Sequence, residues 1–169
     1  LVLIASFLSA CSAGPAVLNA LTSRAGYTQS TLRYAPGDRG TMDFYVPDGA
    51  GPRTPVVVFV HGGSWDSGSK DIYRFVGQAL AAQGFAVAVP DYRLYPDVVF
   101  PGFVEDGARA FAAVERLARE GGAGLPAGRH PIALMGHSAG AQIAALLALD
   151  TRYLRRAGSD PAHIAAFVG

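Results

Sequence analysis

The feature of this sequence that most constrains its fold is an apolar strand that turns sharply into an apolar helix. The strand covers residues 132–136, the turn reads Gly136-His137-Ser138-Ala139-Gly140, and the helix continues to Leu149. A serine at the centre of such a turn is held in a strained backbone conformation, with its hydroxyl exposed and the helix N-terminus directed at it. We therefore predict that Ser138 is a nucleophile rather than a small residue that merely fits a tight junction.

A second motif follows another apolar strand. Residues 56–60 form a continuous run rich in valine, which is typical of a strand covered on both faces. The sequence His61-Gly62-Gly63-Ser64-Trp65 comes directly after it. Two glycines at a strand end let backbone N–H groups turn inward, where they can stabilise the oxyanion of a tetrahedral intermediate. We predict an oxyanion hole made by the N–H of Ala139 and by this loop, with the second donor among Gly62, Gly63 and Ser64.

The order of the elements predicts an α/β fold. Two alternating segments, Thr28–Tyr34 and Thr41–Val46, flank a Pro-Gly turn and indicate a hairpin at a sheet edge. After the hairpin, predicted strands at 56–60, 85–89, 132–136 and 164–168 alternate with predicted helices at 72–83, 104–119 and 139–149. Such alternation implies a mostly parallel sheet with helices on both faces and a site at the C-terminal ends of the strands.

Composition excludes several classes of function. The length of 169 residues suits one domain, and a net charge of +1 without runs of like charge gives no footprint for nucleic acid. The 4 histidines lack metal-ligand spacing, and the single cysteine excludes an internal disulfide. The segment 63–70 lacks the Gly-Lys-Ser/Thr ending of a phosphate-binding loop. The sequence therefore predicts neither a metal nor a cofactor.

Four stretches together resemble the α/β-hydrolase superfamily: HGGSW at 61–65, DYRLYP at 91–96, the helix that contains Glu105-Asp106, and GHSAGA at 136–141. Within it the chain resembles the esterase/lipase group, which includes hormone-sensitive-lipase-like carboxylesterases, feruloyl-esterase-like enzymes and kynurenine formamidases. The resemblance implies a serine hydrolase that cleaves a small carboxylic ester through an acyl-enzyme. An amidase or formamidase of the same fold, and a non-catalytic lipid-anchored binding protein, are the alternatives.

The resemblance also implies a base and an acid that this chain does not supply. In the superfamily the order is the serine, then Asp or Glu, then His, with both partners well downstream. Asp150, Asp160 and His163 follow Ser138, but none fits the triad position. We expect the fold to be incomplete at the C-terminus and the N-terminus to be clipped, and we expect this stretch alone to be inactive.

The first eleven residues have the character of an export signal. Residues 1–10 are apolar but too short to cross a bilayer, and they end in Leu8-Ser9-Ala10-Cys11. This tetrapeptide resembles the lipobox of bacterial lipoproteins, in which the cysteine carries the lipid. We predict a signal segment at 1–11, a tether at 12–27 and the hydrolase domain at 28–169. The protein would then be exported, in the periplasm or on a membrane surface of a bacterium. A plain cleaved signal or an inert Cys11 are the alternatives.

Several other residues carry weaker expectations. Asp106 is interpreted as structural, and Asp91 is expected to pair with Arg93. Trp65 and Tyr92 could border the substrate pocket, although large aromatic residues more often pack in a core. Two histidines adjoin the predicted site: His61 is expected to bond within its own loop, and His137 to point away from the Ser138 hydroxyl.

Overall fold

The computed structural model describes residues 14–23 and 25–169. Its centre is a six-stranded sheet with the strand order β1-β2-β4-β3-β5-β6. The strands are β1 (Tyr27–Arg33), β2 (Thr41–Pro47), β3 (Val56–Val60), β4 (Ala86–Pro90), β5 (Ile132–Gly136) and β6 (Ile164–Val168). The helices are α1 (described over 14–21), α2 (Arg74–Ala81), α3 (Gly102–Glu120), α4 (Ala139–Leu149) and α5 (Thr151–Arg156), with a short 3-10 helix at Pro161–His163.

The predicted mostly parallel sheet is confirmed. β1 and β2 form an antiparallel hairpin at one edge, and β2 pairs antiparallel with β4. The pairs β3 with β4, β3 with β5, and β5 with β6 are all parallel. Because parallel strands end at the same edge of a sheet, the loops after β3, β4 and β5 lie together. These loops carry three of the four stretches named above: HGGSW after β3, DYRLYP after β4 and GHSAGA after β5.

Helices cover both faces of the sheet, as predicted. Successive residues of β3 point to opposite sides of the sheet, and both sides are covered, which explains why this strand is apolar throughout. Val56, Val58 and Val60 pack into the larger core with α3 and α4, whereas Val57 and Phe59 pack into the smaller core with α2. Gly107 of α3 lets that helix approach α4, because a side chain there would lie 2.9 Å from Ile143 Cγ2.

The predicted elements are confirmed in type, and their bounds differ most at α2. The sequence predicts a helix over 72–83, but the observed helix runs only from Arg74 to Ala81. The amides of Ile72 and Tyr73 bond three residues back, to Ser69 and Lys70, so this stretch is a turn. Gly84, at φ 90, ends the element on the other side.

The predicted domain boundaries at residues 11 and 27 stay predictions. The signal segment and Cys11 lie outside the described residues. Within the described ranges, no helix combines the length and the apolarity that crossing a membrane requires. Part of the predicted tether forms α1, and the Asn19 side chain of this helix bonds to the backbone of residues 71, 72 and 75.

Candidate active site

Ser138 occupies the turn between β5 and α4 in a strained conformation. Its φ of 53° and ψ of −119° place an L-residue in a region that side chains rarely adopt. The residue is exposed, and its hydroxyl makes no capping hydrogen bond to α4. The hydroxyl is therefore neither buried nor used to satisfy the start of the helix. This is the geometry that the sequence predicts for a nucleophile.

Glycines make this turn possible because the backbones on either side nearly touch. A Cβ at Gly136 would lie 2.4 Å from the carbonyl oxygen of Gly140. A Cβ at Gly140 would lie 2.1 Å from the carbonyl oxygen of Val60 at the end of β3. Both contacts are with backbone atoms, which cannot move aside as a flexible side chain can. The turn and the end of β3 are thus fixed against each other.

The loop after β3 lies directly against Ser138. A Cβ on Gly62 would be 3.1 Å from Ser138 Cβ and 2.9 Å from the His137 carbonyl oxygen. The next three residues, Gly63, Ser64 and Trp65, all have positive φ, at 124°, 50° and 62°. Such a run of left-handed residues curls the chain tightly and is uncommon outside functional loops.

The backbone amides next to Ser138 are the predicted oxyanion donors, and that of Gly62 also faces the Tyr73 hydroxyl oxygen. Among the described residues, no backbone carbonyl accepts a hydrogen bond from the amides of Gly62, Gly63, Ser64 or Ala139. The amide of Ala139 is also at the N-terminus of α4, where the helix dipole favours negative charge. The structure brings Ser138 and this loop together, and it leaves the second donor open among the three loop residues.

A buried histidine and a buried aspartate stabilise the loop that follows β3. His61 is 0% exposed, and its Nδ1 donates to the Gly62 carbonyl at 2.8 Å, as expected for a bond within its own loop. Its Nε2 faces Asp91 Oδ1 at 3.4 Å. The same carboxylate accepts from the Lys70 amide at 2.7 Å and lies 3.5 Å from the Arg39 guanidinium.

The environment of Asp91 favours its ionised form. Burial alone would raise the pKa of this carboxyl, but the nearby His61 ring, the hydrogen bond from the Lys70 amide and the charge on Arg39 outweigh burial. The net result is a pKa below the ordinary value. Asp91 therefore carries a negative charge. Its contacts join the end of β4 to the residues that follow β3.

The expected pair between Asp91 and Arg93 is wrong. Arg93 instead binds Asp106, with Nε to Oδ2 at 2.8 Å and Nη2 to Oδ1 at 2.9 Å. Arg109 approaches the same carboxylate at 3.2 Å. The strand ends at Pro90, so residues 91 and 93 lie in irregular backbone, and the alternation that would place them on the same side of a strand does not apply. The interpretation of Asp106 as structural agrees with these contacts.

The two aromatic candidates for the substrate pocket differ. Tyr92 is only 1% exposed; its ring stacks on His61 at 4.4 Å between centroids, and its hydroxyl donates to the His61 carbonyl at 3.0 Å. The prediction that Tyr92 borders the pocket is corrected, because a side chain this buried cannot meet a substrate. Trp65 is partly buried beside Phe103, with 6.1 Å between ring centroids. A substrate contact by Trp65 stays a prediction.

Sequence reasoning missed Tyr73, which lies next to the site. Its hydroxyl oxygen is 3.0 Å from His137 Nδ1, and its ring stacks on His61 at 6.0 Å between centroids. Burial raises the pKa of Tyr73, and the amide of Gly62 beside its oxygen lowers it in part. The residue belongs to no motif and falls inside the predicted helix 72–83, so no sequence signal distinguished it.

The structure gives each acidic or histidine candidate after Ser138 another role. Asp150 caps α5 through the Arg152 amide, and Asp160 caps the 3-10 helix through the Ala162 amide. His163 Nδ1 lies 2.7 Å from Glu115 Oε1. Across residues 14–23 and 25–169, no cluster of three or more His, Cys, Asp or Glu side chains is placed to hold a metal ion.

A strained serine at a strand-to-helix turn, beside a glycine loop at the same edge of a mostly parallel sheet, is the arrangement of an α/β-hydrolase. The match to a family model is more specific. The chain belongs to the BD-FAE family, whose model matches residues 42–160.

Curated relatives and a solved structure agree with this class. The "Probable isoprenylcysteine alpha-carbonyl methylesterase ICME" of Oryza sativa subsp. japonica is 36% identical over 128 residues, which are 73% of this chain and 30% of the relative. "Carboxylesterase NlhH" of Mycobacterium tuberculosis is 40% identical over 106 residues, or 62% of this chain and 32% of the relative. The structure titled "Bacterial Heroin Esterase" superposes with a TM-score of 0.73 at 32% identity, covering 96% of this chain and 49% of that one. The chain thus spans about a third of these curated relatives and about half of that structure.

Proposed function

We propose that the protein hydrolyses carboxylic esters through an acyl-enzyme on Ser138. The observation that carries this proposal is the position of Ser138 at φ 53°, exposed and directly against Gly62. An exposed serine in a strained turn without a capping role has no evident structural use. The esterase names of the similar proteins support the same conclusion.

The proposed chemistry follows from these contacts. Ser138 Oγ attacks the ester carbonyl carbon, and the carbonyl electron pair moves onto oxygen, where the amides of Ala139 and the 62–64 loop hold the negative charge. Collapse of this intermediate expels the alcohol, which takes up the proton removed from Ser138. Water then attacks the acyl-enzyme in the same way, releasing the acid and restoring the serine.

A general base must accept the Ser138 proton, and we propose that it lies outside these 169 residues. The Nδ1 atoms of the two nearest histidines are engaged: His61 with the Gly62 carbonyl and His137 with the Tyr73 hydroxyl. His130 lies between the carbonyls of Thr54 and Pro126, and His163 faces Glu115. We propose that a histidine and an orienting acid from elsewhere in the protein complete the triad.

A fluorophosphonate probe tests the proposal in the full-length protein. We expect one covalent adduct on the peptide that contains Ser138, identified by mass spectrometry. Hydrolysis of p-nitrophenyl acetate should accompany labelling, and an anilide of the same acid reports whether amides are cleaved instead. A protein that is folded but neither labelled nor active would contradict the proposal and favour the non-catalytic binding protein.

We further propose, from the sequence of residues 1–11, export from a bacterial cell and lipid attachment at Cys11. The support is the apolar run followed by Leu-Ser-Ala-Cys. We expect the protein in the membrane fraction with a diacylglycerol adduct on its N-terminal peptide. A Cys11→Ser variant should lose both, and an unmodified Cys11 in the mature protein would overturn this proposal.

A further inference from the structure

A cavity beside the candidate site is bounded on one side by α1. This cavity of about 490 Å³ is lined by the loop glycines 62, 63 and 68, by residues 71–73, and by α1. The helix contributes Pro15, Ala16 and Asn19, which share one face because positions three and four apart lie together on a helix. Gly62 lines the cavity and also lies against Ser138, so it connects the two.

Asn19 fixes α1 against the domain through three hydrogen bonds. Its Nδ2 donates to the carbonyls of Asp71 at 3.1 Å and Ile72 at 3.2 Å. Its Oδ1 accepts from the amide of Phe75 at 2.7 Å. An amide side chain both donates and accepts, so one residue binds three backbone groups of the same loop.

The bond to Phe75 explains why an asparagine is useful here. Phe75 is in the first turn of α2, where backbone amides lack partners within the helix. Tyr73, the residue that precedes α2, provides no side-chain cap. Asn19 supplies the missing cap from α1. The same loop carries Tyr73, whose ring and hydroxyl contact the two histidines next to the oxyanion loop.

α1 could not hold this position by itself. A helix of about two turns is unstable in water without tertiary contacts. Its other face exposes Val17, Leu18 and Leu21, at 53%, 45% and 77%. The contacts on the Asn19 face therefore decide whether the wall of the cavity is in place.

We infer that α1, held by Asn19, is a wall of the substrate site and that the cavity takes an uncharged apolar group next to the ester carbonyl. The inference rests on the proposed function at Ser138. Apolar or backbone surfaces of Pro15, Ala16, Ile72 and Tyr73 favour such a group. None of the described residues that line the cavity carries a positive charge, which disfavours an anionic one.

Two substrate series and two variants test this inference in the full-length protein. One series varies the acyl chain of p-nitrophenyl esters from acetate to hexanoate, and the other varies the alcohol of acetate esters. Asn19→Ala should lower kcat/KM for the longer members of one series by about tenfold more than it lowers kcat/KM for acetate, which corresponds to one or two lost hydrogen bonds. Ala16→Trp should fill the cavity and discriminate against the same members.

Thr22→Ala is the matched control, because among the described residues Thr22 Oγ1 donates only to the carbonyl of Leu18 in α1. Its specificity should equal that of the wild type. Unchanged chain-length preference in both test variants, with the wild type active, would overturn the inference while leaving the proposed function intact. A wild type without fluorophosphonate labelling would instead contradict the proposed function. The series that responds identifies the acyl or the alcohol group as the occupant.

Discussion

Two serines of this molecule, Ser138 after β5 and Ser159 before β6, differ in almost every physical respect. Ser138 lies at the end of β5 with positive φ, an exposed hydroxyl and open amides beside it. Ser159 lies before β6, is 6% exposed, and donates its hydroxyl to Glu115. His163 binds the other oxygen of the same carboxylate at 2.7 Å.

Backbone geometry and side-chain partners, and not residue type, distinguish the two serines. In the second cluster Glu115 stands between the serine and the histidine, so the histidine does not receive the serine proton. A nucleophilic triad requires the histidine in the middle, with the acid behind it. Ser159 therefore stabilises the packing of the chain before β6, whereas Ser138 is free to meet a substrate.

The sharpest test of this comparison removes each hydroxyl in turn. Ser138→Ala should abolish fluorophosphonate labelling and lower turnover on the order of 10⁶-fold, because the attacking atom is lost. Ser159→Ala should leave both unchanged. Intact-mass spectrometry after probe treatment measures the outcome, and an adduct that persists in Ser138→Ala would place the nucleophile elsewhere.

The loop amides should have the second largest effect, after the hydroxyl. Gly62→Ala places a Cβ 2.8 Å from His137 Nδ1 and 3.1 Å from Ser138 Cβ, which displaces the loop. We expect kcat to fall about 10²- to 10³-fold, as when one oxyanion donor is removed. Gly51→Ala is the control, since nothing lies within 4 Å of a Cβ there. Equal activity in the two variants would show that the loop does not hold the oxyanion.

Replacing Asp91 tests its contribution to the free energy of unfolding and how that contribution depends on pH. Asp91→Asn weakens the contacts to Arg39 and His61, and we expect a loss of about 1–3 kcal/mol in the free energy of unfolding at pH 7. Because the folded pKa of Asp91 is lowered, its contribution is present above the unfolded pKa of about 4 and disappears as the pH falls through the folded value.

The difference between wild type and Asp91→Asn should therefore shrink below about pH 4, as measured by urea denaturation. Asp97→Asn is the control, because Asp97 is exposed on the same connection. A difference that stays constant from pH 7 to pH 3 would show that the charge on Asp91 does not stabilise the fold.

The sequence predicts local features of this fold well, because they depend on neighbouring residues. The buried strand before His61 and the turn around Ser138 follow from patterns only a few residues long. The partner of Asp91, the burial of Tyr92 and the docking of Asn19 depend on which loops meet at the sheet edge. Asn19 and Phe75 are 56 residues apart in sequence, so no local pattern relates them.

The smallest predicted effect concerns the cluster of Ser159, Glu115 and His163. Glu115→Gln keeps an oxygen that can accept from Ser159 but loses the charge that faces His163, a side chain that is 53% exposed. An ion pair this exposed contributes little, so we expect the free energy of unfolding to fall by less than about 1 kcal/mol in urea denaturation. Labelling of Ser138 should not change, because the cluster supplies no atom to the site. If Glu115→Gln kept normal stability but strongly lost labelling of Ser138, the two regions would act together. The Ser159 cluster would then not be purely structural.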